Sequence, residues 1–122
     1  LRRRLGIVPP ATGETPMTTT TIAQVPTESA SRYLQQLCKH WSHNLSVEFT
    51  PERGIIIFPK DVRGATWSGD AKVTFDAEPD ALAIRIDASS PDHRDAMQGV
   101  IERHLDRFAF REAPLCYDWK SA

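Results

Sequence analysis

The sequence predicts an α+β fold: a two-layer sandwich in which an antiparallel β-meander is covered on one face by two helices. Three observations predict it. An amphipathic helical stretch at residues 28–43 stands before a run of strands and does not interleave with them. Three or four short segments with period-two alternation then follow one another across tight turns at 51–54 and 78–80, which is the pattern of a meander. A second helical stretch, with a strong start signal at residues 89–92, closes the run. A parallel α/β fold would need helices between the strands.

The chain has 122 residues, the size of one domain with a single core. Its 40% hydrophobic and 25% charged content is that of an ordinary globular protein. A net charge of -1 argues against a general nucleic-acid binder, because phosphate binding needs a basic excess or patch. The longest apolar run, IIIF at 55–58, is far shorter than the ~20 residues of a membrane span. The start, LRRRLGIVPP, is basic but lacks the apolar segment of a secretory signal. Cytoplasmic location is therefore expected. Cys38 and Cys116 are too few for a disulfide scaffold and have no zinc-type spacing. They are expected as free thiols, with an oxidised pair as the alternative.

Residues 1–19 are expected to be disordered, or to be an upstream extension of the reading frame, since Met17 is followed by a threonine run. Arg2, Arg3 and Arg4 are either a solvated end or a basic arm. Residues 20–122 form the single α+β domain. Residues 20–25 are β-prone, and Pro26 stops them. Thr27 or Ser29 can cap the helix of 28–43, with Glu28 near its positive end. Ala30, Leu34, Leu37, Cys38 and Trp41 form its apolar stripe, while Gln36, His40 and His43 share the polar side.

Residues 45–50 alternate, with Leu45, Val47 and Phe49 on one side. Residues 54–59 are a more continuously apolar strand, and 60–70 read as a loop with a short paired piece around 65–68. Strands at 71–77 and 81–88 turn Val73, Phe75, Leu82, Ile84 and Ile86 inward. Ser90 can cap the second helix, Pro91 suits its first position, and Asp92 complements its dipole. That helix runs to Phe108 or Phe110, with Met97, Val100, Ile101, Leu105 and Phe108 as its buried stripe and His104 within it. Pro114 ends the segment, and 115–119 is an edge strand or an apolar tail laid on the core.

Two strings, YLxxLCKHWxH from Tyr33 to His43 and HLxRFAFRE from His104 to Glu112, resemble the bacterial domain-of-unknown-function family 2218. The resemblance covers residues 20–119. The chain departs from the family pattern at Asn44, where lysine is usual, and in a longer loop at 59–69. The resemblance implies a compact α+β domain with a topology like the TATA-binding protein or the C-terminal domain of phosphohexomutases. It implies no established activity. Relatives accompany siderophore-interacting or iron-uptake proteins, which implies an accessory role in iron or siderophore metabolism and a small molecule or an iron-uptake protein as a partner.

The sharpest chemical candidate is a divalent transition metal site. His40 and His43 are three residues apart, a spacing that puts two imidazoles on one helix face. His104 supplies a third ligand if the helices are neighbours, and Glu112 or Asp118 an oxygen. The plainer reading leaves His40 and His43 at the surface and His104 satisfied in the core. A nucleophilic Cys38 with His40 or His104 as base is disfavoured, because Cys38 falls in the apolar stripe. Arg107, Arg111 and Glu112 end the second helix; they either complement its negative end or form an anion site or an Arg–Glu bridge at an interface. Trp41, Trp67 and Trp119 are expected as core or interface anchors. No glycine-rich phosphate loop or GxSxG occurs. The favoured function is an accessory or binding domain, not an enzyme. A metal-binding protein or metal-dependent enzyme using His40, His43 and His104 is the alternative, and a structural homodimerising module is the third reading, since an open meander leaves edges to cover.

Overall fold

In the computed structural model, which describes residues 19–122, the chain runs β1 (Thr19–Pro26), α1 (Ala30–Trp41), β2 (Ser46–Phe49), β3 (Arg53–Phe58), a 3-10 turn (Val62–Gly64), β4 (Ala71–Ala77), β5 (Ala81–Ala88), α2 (Pro91–Phe108) and β6 (Lys120–Ser121). The expectations for the leading segment fall outside the described residues, apart from Thr19, which already belongs to β1. The strands form one antiparallel sheet in the order β2-β3-β4-β5-β1-β6. The expected α+β two-layer sandwich is the observed fold, with both helices on one face.

Alternation decides which face the helices cover. Thr21, Ala23 and Val25 of β1, Ile56 and Phe58 of β3, Val73 and Phe75 of β4, and Leu82, Ile84 and Ile86 of β5 are buried beneath them. Their sequence neighbours Gln24, Lys72 and Arg85 point to the open face. The first strand, isolated in sequence from the meander, joins it at β5 over its whole length, from Thr19 opposite Ala88 to Pro26 opposite Ala81. Thr21 is buried but satisfied: its hydroxyl donates to the Lys120 carbonyl at 3.1 Å and accepts from Gln98 at 3.1 Å.

At 12 residues, α1 is too short to be stable alone in water. It is held by its stripe. Ala30, Tyr33, Leu34, Leu37, Cys38 and Trp41 are all buried, the expected set plus Tyr33. Each fully buried leucine of this kind contributes about 1.5–3 kcal/mol. The helix is shorter than expected at both ends. Ser29, not Glu28, precedes its first turn, and its side chain makes no cap; Thr27 accepts from the Ser29 N–H instead, at 3.1 Å. At the other end the helix stops at Trp41; the Asn44 N–H closes an i→i−3 turn on the Trp41 carbonyl, and His43 lies in that turn.

Helix α2 starts as expected, with Ser90 Oγ accepting from the His93 N–H at 3.1 Å. Its buried line is His93, Met97, Ile101 and Leu105; Val100, His104 and Phe108 are half-buried along one flank. The loop of 59–70 contains no strand. The Trp67 N–H donates to the Lys60 carbonyl at 2.9 Å, and the Lys60 N–H to Asp70 at 2.9 Å, so the loop closes on itself and not on the sheet edge. Gly64 takes φ +79 there, a left-handed conformation that glycine adopts without strain. The segment at 115–119 is the tail and not the strand. Trp119 donates to Glu102 at 2.7 Å and Tyr117 to Asp106 at 2.9 Å, and only Lys120 and Ser121 pair with β1.

The two layers meet closely at Gly54. A Cβ built there would lie 2.5 Å from Cys38 Sγ, well inside contact distance. Gly54→Ala is expected to lower stability by about 1–3 kcal/mol through overpacking. In the double variant Cys38→Ala/Gly54→Ala the glycine substitution should cost much less, because the sulfur it strikes is gone. Urea unfolding of the four proteins measures the coupling, and strictly additive losses would show that the contact does not set the layer spacing.

Candidate functional site

The two helices pass each other in opposite directions. His40, near the end of α1, meets His104 and Phe108 of α2, whereas Arg32 and Tyr33, near its start, share a cleft with Phe110 and Arg111 just beyond the end of α2. Arg32, Gln36 and His40 are spaced four residues apart, so they line one side of a groove; His104 and Phe108, also four apart, line the other. The cleft at its wide end has a volume of about 240 Å³ and is lined by Arg32, Tyr33, Gln36, Phe108, Phe110 and Arg111. Phe110 is 70% exposed, and the Arg111 guanidinium lies 5.6 Å from its centroid.

At the narrow end four rings gather. The His40 and His104 centroids are 5.4 Å apart; His40 meets Phe108 edge-on at 5.7 Å, and His104 lies 4.9 Å from Trp41. Trp41 in turn stands edge-on to Phe58 of the sheet at 5.2 Å, which anchors the cluster to the core. His104 Nδ1 lies 2.8 Å from the Val100 carbonyl. A carbonyl only accepts, so Nδ1 carries the proton and Nε2 holds the lone pair of the neutral ring.

The sequence candidates separate accordingly. His40 and His104 come together. His43 lies in the turn after α1, exposed, and outside the ring cluster, because the helix that was to align it with His40 has ended. Among the described residues, no group of three or more His, Cys, Asp or Glu side chains is placed to hold a metal ion. Glu112 turns to the start of α1, where it accepts from the Thr27 hydroxyl at 3.0 Å and from the Tyr33 hydroxyl. Burial and then this bond push the Tyr33 phenol up. Asp118 pairs with Lys120 at 3.5 Å. Arg107 and Arg111 form no ion pair with any described residue, and Arg111 faces the cleft. Cys38 is fully buried, and burial pushes its thiol up to about 11, the opposite of what a nucleophile needs. Cys116 is exposed, and both are free thiols.

Sequence reasoning missed a second cluster. His93, 1% exposed, accepts at Nδ1 from the Ser89 N–H at 3.2 Å, with the Ser89 hydroxyl 2.7 Å away, and Trp67 stacks flat on its ring at 4.5 Å. Burial lowers its pKa, opposed by the negative charge of Asp70. The available signal was the spacing of His93, Met97 and Ile101, which puts the histidine on the buried line of α2. The cluster holds the loop of 59–70 over the start of α2.

A family model described as "Uncharacterized protein conserved in bacteria (DUF2218)" matches residues 22–120. Among solved structures the chain is similar to the NMR structure of PA4090 from Pseudomonas aeruginosa, with 35% sequence identity over 84% of this chain and 95% of that chain and a TM-score of 0.64. No curated protein matches the chain.

Two outcomes are expected from this geometry. A thiol reagent such as dithionitrobenzoate should titrate Cys116 promptly and Cys38 only on unfolding; two fast equivalents would contradict the packing of α1. His93 should titrate below the ordinary histidine value of about 6.5. The unfolded chain then binds the proton first as pH falls, so the contribution of His93 to stability is intact above about pH 6.5 and is lost progressively below it. NMR titration of the His93 ring, beside urea unfolding between neutral and acidic pH, measures this; a His93 pKa at or above the ordinary value would refute it.

Proposed function

The chain belongs to the DUF2218 family of bacterial proteins, and from that premise we propose that it is a small accessory binding domain, not an enzyme, that holds a small planar anion in the groove between α1 and α2. The observation that carries this reading is the lining of the cleft. Arg32 and Arg111 present guanidinium groups without ion-pair partners among the described residues, and Phe108 and Phe110 present ring surface. A planar anion meets both: its charge accepts from a guanidinium fork, and its plane lies on a phenyl ring. Gln36 adds an amide that donates or accepts. The volume of about 240 Å³ is below the ~300–1,000 Å³ of pockets for drug-sized molecules, which favours a ligand of one ring over a dinucleotide or a peptide.

A role beside iron or siderophore metabolism, which the family resemblance implies, is compatible with that ligand class, since aromatic iron chelators built on catechol or salicylate are planar anions. No helix among the described residues is long and apolar enough to cross a membrane.

The test is an amide NMR titration with benzoate, the simplest planar aromatic anion. Shifts should concentrate at Arg32, Gln36, Phe110 and Arg111, and Arg111→Ala should weaken binding by roughly tenfold, the loss of one charge-assisted hydrogen bond. Shifts confined to the open face of the sheet, around Ile22 and Arg85, or no saturable shifts at all, would overturn the reading.

A further inference from the structure

We propose that the anion arrives with a metal: His40 and His104 supply two imidazole ligands to a divalent transition metal ion, and a bidentate anionic chelator held at the arginine end of the groove fills its remaining positions. This rests on the groove reading above and adds the metal to it.

Ring spacing is the first support. With metal–nitrogen bonds of ~2.0–2.1 Å in line with each ring, two imidazoles on one tetrahedral ion have centroids roughly 5 Å apart. The His40 and His104 centroids are 5.4 Å apart, with the ring planes inclined at 46°. The second support is the tautomer. His104 donates Nδ1–H to the Val100 carbonyl at 2.8 Å, which leaves the Nε2 lone pair for a ligand and fixes the ring. A backbone carbonyl on the other ring nitrogen is one of the groups that orient metal-binding histidines. In the proposed site His40 would bring one ring nitrogen to the same ion, in place of any contact that nitrogen makes without it.

The third support is the composition of the surroundings. Trp41 and Phe108 flank the two imidazoles, which gives an ion there an apolar border. No third His, Cys, Asp or Glu is placed to join them among the described residues, Glu112 being held by Thr27 and Tyr33. Two imidazoles alone leave a four-coordinate ion half open. Phe108 touches His40 and also lines the cleft that holds Arg32 and Arg111. A chelator whose donor atoms reach the ion would therefore extend its ring and charge along the groove. Imidazole ligation suits zinc, copper and nickel over magnesium or calcium.

Picolinate and benzoate make the test. Both are planar aromatic carboxylates of nearly the same size, but only picolinate chelates, through its ring nitrogen and carboxylate. Calorimetry on protein without a histidine tag would compare each with and without zinc. Zinc is expected to tighten picolinate binding by roughly tenfold or more and to leave benzoate unchanged. His40→Ala, a change at an exposed position, and separately His104→Gln should abolish the gain, while His43→Ala should keep it. Benzoate and picolinate binding equally with or without zinc would overturn the metal and leave the anion groove standing. Failure of both to bind in any condition would overturn both. Zinc binding as tightly alone as with picolinate, or a gain that survives loss of His40, would overturn the shared site.

Discussion

Helix α1 can lie flat on the sheet because strand β3 has no side chain at Gly54. Cys38 occupies the space where that side chain would be, and Leu34 closes over the same position at 3.5 Å. That contact helps to set which side of α1 faces outward. Once Cys38 faces the sheet, the ~100° step per residue turns Trp41 to the edge of the core and His40 toward the neighbouring helix. A longer side chain at either position would lift the helix, and the ring cluster would lose its anchor on Phe58.

The second determinant is the path of the chain after α2. The N–H groups of Glu112 and Ala113 both fold back on the Ala109 carbonyl, which carries Glu112 across to the start of α1. There the carboxylate meets Thr27 and Tyr33 and adds negative charge near the positive end of that helix. The link joins the last helical turn of the domain to the first. It also holds Phe110 and Arg111, the two residues before it, at the mouth of the groove. Glu112 therefore acts on the candidate site by position, although its sequence context suggested a partner for arginine.

The layer order, the strands and the helix stripes were legible because each rests on a periodicity that burial of one face enforces. Ala30, Leu34, Leu37, Cys38 and Trp41 could be named from spacing alone, and all are buried. The pairing of His40 with His104 was legible only as a condition, since it depends on how two helices far apart in sequence cross. The position of His43 has a local cause: α1 ends at Trp41, where the Asn44 N–H closes a tighter i→i−3 turn on the Trp41 carbonyl. His93 was hidden for the opposite reason. Its position on the buried line was visible, but a histidine there needs a partner, and Ser89 and Trp67 reach it only through the cap of α2 and the fold of the loop at 59–70.

The returning tail keeps the carboxylates of α2 apart from the arginines beside the cleft. The carboxylates of Glu102 and Asp106, one helical turn apart, are engaged by Trp119 and Tyr117 of the returning tail. Asp106 also accepts from the Leu115 N–H at 3.2 Å. On the groove side the same helix offers His104 and Phe108, followed by Phe110 and Arg111. With Glu112 drawn off to Thr27 and Tyr33, the arginines beside the cleft have no carboxylate within ion-pair distance among the described residues. An anion held there, as proposed above, would break no salt bridge to a described residue. The tail that finishes the fold thus also holds Glu102 and Asp106 on the flank of α2 where it packs, away from Arg111.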